Sequence, residues 1–284
     1  MGLKSGEDGV KSTCKKLFPN CYRDFPDLKH AREAMGKQSA ETAVFLDGNV
    51  LMQAVPNEVW SLRGYLKIFE TSIKQAFAAG NTVFVVFDNK VTKAKQAEQE
   101  RRDQQRKRTQ PTMSADLQEE YCPTDDDYTE DQIDEKVNIH NLMAHRAARA
   151  RLFDIVCCST MKRFLQEQNQ ALNGAPTRFL VFDGVDARGG YRPTGGRRFA
   201  GFYSSDASLD DKLERDDAMH VGEGDIKLVD LQKRIRELKA VGKAFANINF
   251  IVVSTVDTDT IGIELLKIAL ERHTGDAGVE AIFC

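Results

Sequence analysis

Aspartates follow the apolar runs of this sequence at places where several of them could share a metal ion. Residues 43–47, 82–88 and 178–183 are apolar runs that end in Asp47, Asp88 and Asp183, and a fourth run, 248–254, precedes Asp257 and Asp259. Parallel strands bring their carboxyl ends to one edge of a sheet, where ligands bind. We therefore expect Asp47, Asp88, Asp257 and Asp259 to converge.

A further acidic pair lies in the segment from His220 to Lys227. This segment places Glu223 and Asp225 at the start of a helix predicted to run to about Lys239. Carboxylates at one point repel unless cations neutralise them, and oxygen-only ligands select Mg²⁺ or Mn²⁺. Two such ions would suit hydrolysis of a phosphodiester bond. The predicted catalytic and metal-binding residues are Asp47, Asp88, Glu223, Asp225, Asp257 and Asp259. Lys227 is either functional or a charge partner packed against these carboxylates.

Two other interpretations of the aspartates stay open. An aspartate after a strand is also a common turn or helix-cap residue, so each position alone has a structural explanation. In addition, Asp257-Thr-Asp259-Thr260 follows an apolar strand, as does the nucleophile motif of haloacid-dehalogenase-type phosphatases. Too little chain follows Thr260 for the later lysine and aspartates of that chemistry, which disfavours the phosphatase interpretation.

The elements needed to position these residues are those of an α/β fold. The β-branched and aromatic runs predict strands buried on both faces, hence a mostly parallel central sheet with helices on both faces. Apolar spacing predicts a helix over about 59–79 that ends before Gly80, and another helical stretch over about 130–172. Residues 279–284 are typical of a strand. We predict one domain, 1–284, with an acidic loop at about 110–136 and a mobile Gly/Arg-rich loop at about 184–218.

Composition excludes several classes of protein. The chain has 284 residues, of which 41% are hydrophobic and 29% charged, as expected for a globular domain with a large core. No apolar stretch reaches the roughly 18 residues of a membrane helix, and the N-terminus lacks a secretory signal, so we predict an intracellular protein of the nucleus or cytoplasm. The six cysteines lack zinc-binding spacing. With a net charge of −3, any nucleic-acid surface must be locally basic.

These residues resemble the PIN-like 5′-nuclease superfamily, which includes flap endonucleases and Xrn-type 5′→3′ exoribonucleases. The order of the six carboxylates is similar to that family's metal ligands, and the chain opens with Met-Gly as these proteins do. Asp47-Gly-Asn49 and Gly222-Glu-Gly-Asp-Ile-Lys227 are closer to the Xrn branch. The resemblance implies a nuclease that uses Mg²⁺ to hydrolyse RNA or DNA from a 5′ end, as an exonuclease or a flap-type endonuclease, with Asn49 and Gly2 among its substrate-binding residues.

The same resemblance implies a pocket for a 5′-monophosphate on a basic helix after Asp88. Lys95, Gln99 and Arg102 match the family's spacing, and offsets of four and three residues place them on one helical face. Two cations and an amide could there grip a terminal phosphate, although a solvated charged helix is the plainer explanation. The arginines from Arg188 to Arg198 could contact the phosphate backbone of a single-stranded nucleic acid, or they could belong to a flexible insertion.

Three features depart from the family pattern. Gln53 stands where the family has a base-stacking Tyr or His, Asp103 replaces a second pocket arginine, and the sequence reaches Cys284 before the family's further metal-binding aspartate. A second hypothesis is therefore a nuclease-like scaffold that binds nucleic acid or a protein partner without cutting.

Overall fold

In the computed structural model of the protein, the described residues are 25–53, 61–87, 146–171, 177–183, 202–206, 224–242, 245–255 and 280–283, with a few isolated positions between them. Six strands in this part of the chain form one sheet with the order β4-β3-β2-β1-β5-β6. All neighbouring strands run parallel except β4, which pairs antiparallel with β3 at one edge. The strands are β1 (Thr42–Asp47), β2 (Thr82–Val86), β3 (Phe179–Asp183), β4 (Phe202–Ser204), β5 (Phe250–Ser254) and β6 (Glu280–Phe283).

Five described α-helices accompany the sheet: α1 (Leu28–Ala34), α2 (Gly48–Gln53), α3 (Leu62–Ala79), α4 (Arg146–Gln170) and α5 (Gly224–Ala240). A 3₁₀ turn, Ser39–Glu41, leads into β1. The best-defined boundaries are those of α3. Ser61 caps its start by accepting a hydrogen bond from the Gly64 amide at 3.1 Å, and the helix stops at Gly80. A Cβ at Gly80 would lie 2.5 Å from the Thr42 carbonyl oxygen, so this close approach to β1 requires glycine.

Four strands, β1, β2, β3 and β5, are buried between two apolar cores, because alternate residues of each strand face opposite sides. On one face, Val44, Val83 and their neighbours pack against α3 and α4. On the other face, Phe45 and Phe84 stack with ring centroids 4.8 Å apart and pack against α5. The buried residues of α5 are spaced along one helical stripe and include Leu228, Leu231, Ile235 and Leu238. The protein is thus an α/β domain with helices on both faces of a mostly parallel sheet.

The chain reverses its direction of travel across the sheet between β1 and β5. From β1 it moves through β2 to β3 on one side, and β5 then pairs with the opposite side of β1. Helix α3, which connects β1 to β2, and α5, which precedes β5, lie on opposite faces. In open α/β sheets, such a reversal leaves a crevice at the carboxyl ends of the two strands. In this sheet the reversal lies between the ends of β1 and β5.

The predicted strands are confirmed, and the predicted helices are confirmed where the structure describes them. Helix α3 begins at Leu62, slightly later than predicted, and α4 lies inside the stretch predicted as helical. Strand β4 lies within the range predicted as a Gly/Arg-rich loop and was not anticipated. The acidic range 110–136 lies outside the described residues. None of the described helices combines the length and apolar character needed to cross a membrane.

Candidate functional site

Two carboxylates lie in one row at the carboxyl edge of the sheet. Asp47 at the end of β1 pairs with Val86 of β2, and Val86 pairs in turn with Asp183 of β3. Two strand spacings separate the two aspartates, a distance of about 10 Å. On the other side of β1, Leu46 pairs with Ser254, so the next residue, Thr255, follows the end of β5 beside Asp47. Asp47 therefore lies next to the point where the chain reverses, and Asp183 lies away from it.

Asp47 caps the helix that follows it. Its side chain is only 9% exposed, and its Oδ1 accepts hydrogen bonds from the amides of Asn49 at 2.9 Å and Val50 at 3.1 Å. These are the donors that an N-terminal cap satisfies, so the capping role foreseen for an aspartate after a strand is present here. A carboxylate has a second oxygen and several lone pairs, so capping through Oδ1 is compatible with cation binding.

The residue between Asp47 and Asn49 is packed against the end of β2. A Cβ on Gly48 would lie 2.5 to 2.7 Å from three ring carbons of Phe87. The Phe87 ring is buried, with 2% of the residue exposed, and it also packs against Phe153 with ring centroids 5.6 Å apart. The absence of a side chain at position 48 thus lets the ends of β1 and β2 approach, one residue before Asp88 in the sequence.

Asp183 forms a buried ion pair with the lysine of α5. The Lys227 Nζ lies 3.0 Å from Asp183 Oδ1 and donates a hydrogen bond to the Phe87 carbonyl oxygen at 2.7 Å. Lys227 is fully buried and Asp183 is 2% exposed. Phe87 also donates its amide hydrogen to the Asp183 carbonyl at 2.9 Å. Lys227 is therefore a charge partner, but of Asp183, which is not among the six predicted metal ligands.

The structure describes only part of the predicted site. Asp47 and Asn49 lie together at the start of α2, and Asp225 lies in the first turn of α5, although its side chain is not described. Among the described residues, no three His, Cys, Asp or Glu side chains come together as a metal site. The remaining predicted residues lie outside the described residues: Asp88, Glu223, Asp257, Asp259, Lys95, Gln99, Arg102 and Gly2.

No family model, curated protein or solved structure matches the chain.

The donors at this edge fit a hard divalent cation beside Asp47 better than beside Asp183. Asp47 offers carboxylate oxygen, which Mg²⁺ and Mn²⁺ prefer, and it lies at the point where the strand order reverses. Asp183 already has a buried ammonium group 3.0 Å away, which supplies a positive charge there. Of these two carboxylates, Asp47 is therefore the one that could contribute to a metal centre.

Sequence reasoning did not select Asp183 or Phe87. Asp183 follows an apolar run as Asp47 does, so its position at the edge was visible, but the cation that neutralises it was not assigned to it. The signal that could have identified the pair is the spacing of Lys227 from Leu231 and Ile235, at four and eight residues. That spacing places Lys227 on the buried stripe of α5, where a charge needs a partner.

Proposed function

We propose that this protein is a divalent-metal-dependent nuclease of the PIN-like 5′-nuclease type. The observation that carries the proposal is the position of Asp47. This residue ends β1 at the carboxyl edge of the sheet, directly beside the end of β5, where the strand order reverses. Asp88 follows β2 by two residues, Asp257 follows Thr255 by two, and Asp225 lies in the first turn of α5. The strand and helix ends that carry the sequence-predicted ligands thus belong to one edge of the sheet.

The chain's own residues supply orientation and charge in this proposal. Helix α2 fixes Asp47 through two amide hydrogen bonds, so the carboxylate is held in place before any ion binds. The N-terminal end of α5 carries the partial positive charge of its helix dipole, which favours acidic side chains such as Asp225 in the first turn. Bound Mg²⁺ or Mn²⁺ ions would activate the attacking water and stabilise charge on the phosphate.

The substrate in this proposal is RNA or DNA with a 5′ end. The support comes from the sequence, in which Lys95, Gln99 and Arg102 share a helical periodicity after Asp88. Two cations and an amide on one face are suited to a terminal phosphate. The experiment that tests this part compares 5′-phosphorylated with 5′-hydroxyl strands. Equal cleavage of both would remove the proposed role of these three residues.

Cleavage itself is tested by incubating 5′-phosphorylated RNA and DNA with the protein in Mg²⁺. The decisive variant is Asp47→Asn, because asparagine caps a helix about as well as aspartate but lacks the negative charge. We expect its melting temperature to stay near that of the unchanged protein while cleavage falls by about a hundredfold or more, since a lost metal contact removes several kcal/mol of transition-state stabilisation. Asp257→Ala with Asp259→Ala serves as a second inactive variant.

A second candidate function is a nuclease-like scaffold that binds nucleic acid without cutting it. The observation that favours it is that both described carboxylates of the row have structural roles, Asp47 as a cap and Asp183 as an ion-pair partner. The scaffold hypothesis is correct if the unchanged protein leaves both RNA and DNA intact in Mg²⁺ but binds them in the presence of EDTA, as seen by a mobility shift on a native gel. Equal cleavage by the unchanged protein and by both variants would indicate a contaminating nuclease and would also exclude the proposed site.

A further inference from the structure

Lys227 is a charged residue at a place where the fold calls for an apolar one. It lies on the same stripe of α5 as Leu231 and Ile235, which fill the core between the helix and the sheet. No part of Lys227 is exposed. Burying an ammonium group is costly even when it is paired, and apolar residues of similar volume often give equal or greater stability. Stability alone therefore does not explain a lysine at this position.

The contacts of Lys227 join three elements at the carboxyl edge. Its Nζ reaches the Asp183 carboxylate at the end of β3 and the Phe87 carbonyl just after β2, while its own backbone belongs to the start of α5. The Phe87 amide donates to the Asp183 carbonyl and so closes a ring of three polar contacts. Because hydrogen bonds are short and directional, these three contacts fix the relative orientation of the elements more closely than apolar packing does.

We propose that Lys227 is a positioning residue of the metal centre, an inference that rests on the proposed function. The carbonyl that Lys227 binds belongs to the peptide group linking Phe87 to Asp88. Asp225 lies two residues before Lys227, in the same turn of α5. Lys227 thus fixes the position of the peptide group that precedes Asp88 relative to α5, the helix that carries Asp225. Its ammonium group also neutralises the Asp183 carboxylate at the same edge of the sheet.

The experiment uses the full chain with both charges of the pair removed together, Lys227→Met with Asp183→Asn, because removing one partner leaves a buried charge and endangers folding. The matched control is Lys233→Met, the same substitution on the same helix at a side chain that is 72% exposed. Three quantities are measured: the melting temperature without metal, hydrogen exchange of the Phe87 amide, and Mn²⁺ affinity by titration calorimetry.

We expect the double variant to fold, with exchange at Phe87 faster and Mn²⁺ affinity lower by about 10- to 100-fold, as for other groups that orient metal ligands. The control should match the unchanged protein in all three measurements. Unchanged Mn²⁺ affinity in the folded double variant would overturn the positioning role, and so would unchanged exchange at Phe87. If the double variant does not fold, the pair is a structural requirement and the proposal is wrong. An unchanged protein that binds no Mn²⁺ would instead overturn the proposed function, and with it this inference.

Discussion

Replacing Gly48 with alanine should destabilise the fold through contact with one ring. The new Cβ would lie 2.5 Å from a ring carbon of Phe87, whereas ordinary contact begins at 3.4 Å, so the ring must retreat by about 0.9 Å. Overpacking of a buried ring costs about 1–3 kcal/mol, and alanine in place of a helical glycine regains at most about 1 kcal/mol. Because the clash outweighs this gain, we expect the free energy of unfolding to fall by about 1–2 kcal/mol, or the melting temperature by roughly 3–6 °C.

The assay is a double-mutant cycle followed by chemical or thermal unfolding. Phe87→Leu removes the ring edge that the new Cβ would meet, so Gly48→Ala should cost less in this background than in the unchanged protein. We expect the two substitutions to be coupled by about 1 kcal/mol. If Gly48→Ala costs the same in both backgrounds, the ring is not the reason that position 48 is glycine, and the packing argument for the ends of β1 and β2 is wrong.

Two further predictions concern buried and exposed polar groups. Tyr65→Phe removes the hydroxyl that donates to the Met52 carbonyl, and should lower the free energy of unfolding by about 1–2 kcal/mol near neutral pH, as measured by urea denaturation. Burial raises the pKa of Tyr65 above its ordinary value of 10.0, so the folded protein should lose stability as pH rises past that value, and Tyr65→Phe should lose less. The amide of His30, and then its ring, lower the pKa of Asp27 below 3.8. An NMR titration of the Asp27 carboxyl should show a midpoint below 3.8 that moves upward in His30→Ala. Because this pKa is lowered in the folded protein, the free energy of unfolding should decrease as pH falls through that midpoint. A midpoint at or above 3.8 would contradict the hydrogen bond that the His30 amide donates to Asp27 Oδ1 at the start of α1.

The sheet was predictable because its strands are buried on both faces. Runs such as 43–47 and 82–88 contain apolar residues without alternation, which is typical of strands in a covered parallel sheet, and the two cores confirm that both faces are buried. Strand β4 was not predictable, because Phe202–Ser204 is too short to show a period and stands after many glycines. Its pairing depends on the neighbouring edge of β3, which is information that local sequence does not contain.

The position of Asp47 was predictable from the sequence, whereas its contacts were not. The end of β1 placed Asp47 at the carboxyl edge, but its sequence could not decide between a cap and a ligand, and the structure shows the cap. The pairing of Asp183 with Lys227 joins residues that are 44 positions apart. Such a pair forms because the apolar face of α5 packs on the sheet and so brings Lys227 to the end of β3, which the local sequence of neither residue shows.

The short antiparallel strand β4 has a consequence for how the domain can tolerate changes in length. Phe202 pairs with Asp183, so the chain leaves β3 and returns to it at the same level of the sheet. The entropy of closing a connection rises only slowly with its length, by about 0.6 kcal/mol for each doubling. A change in the number of residues between Asp183 and Phe202 should therefore cost the sheet little stability.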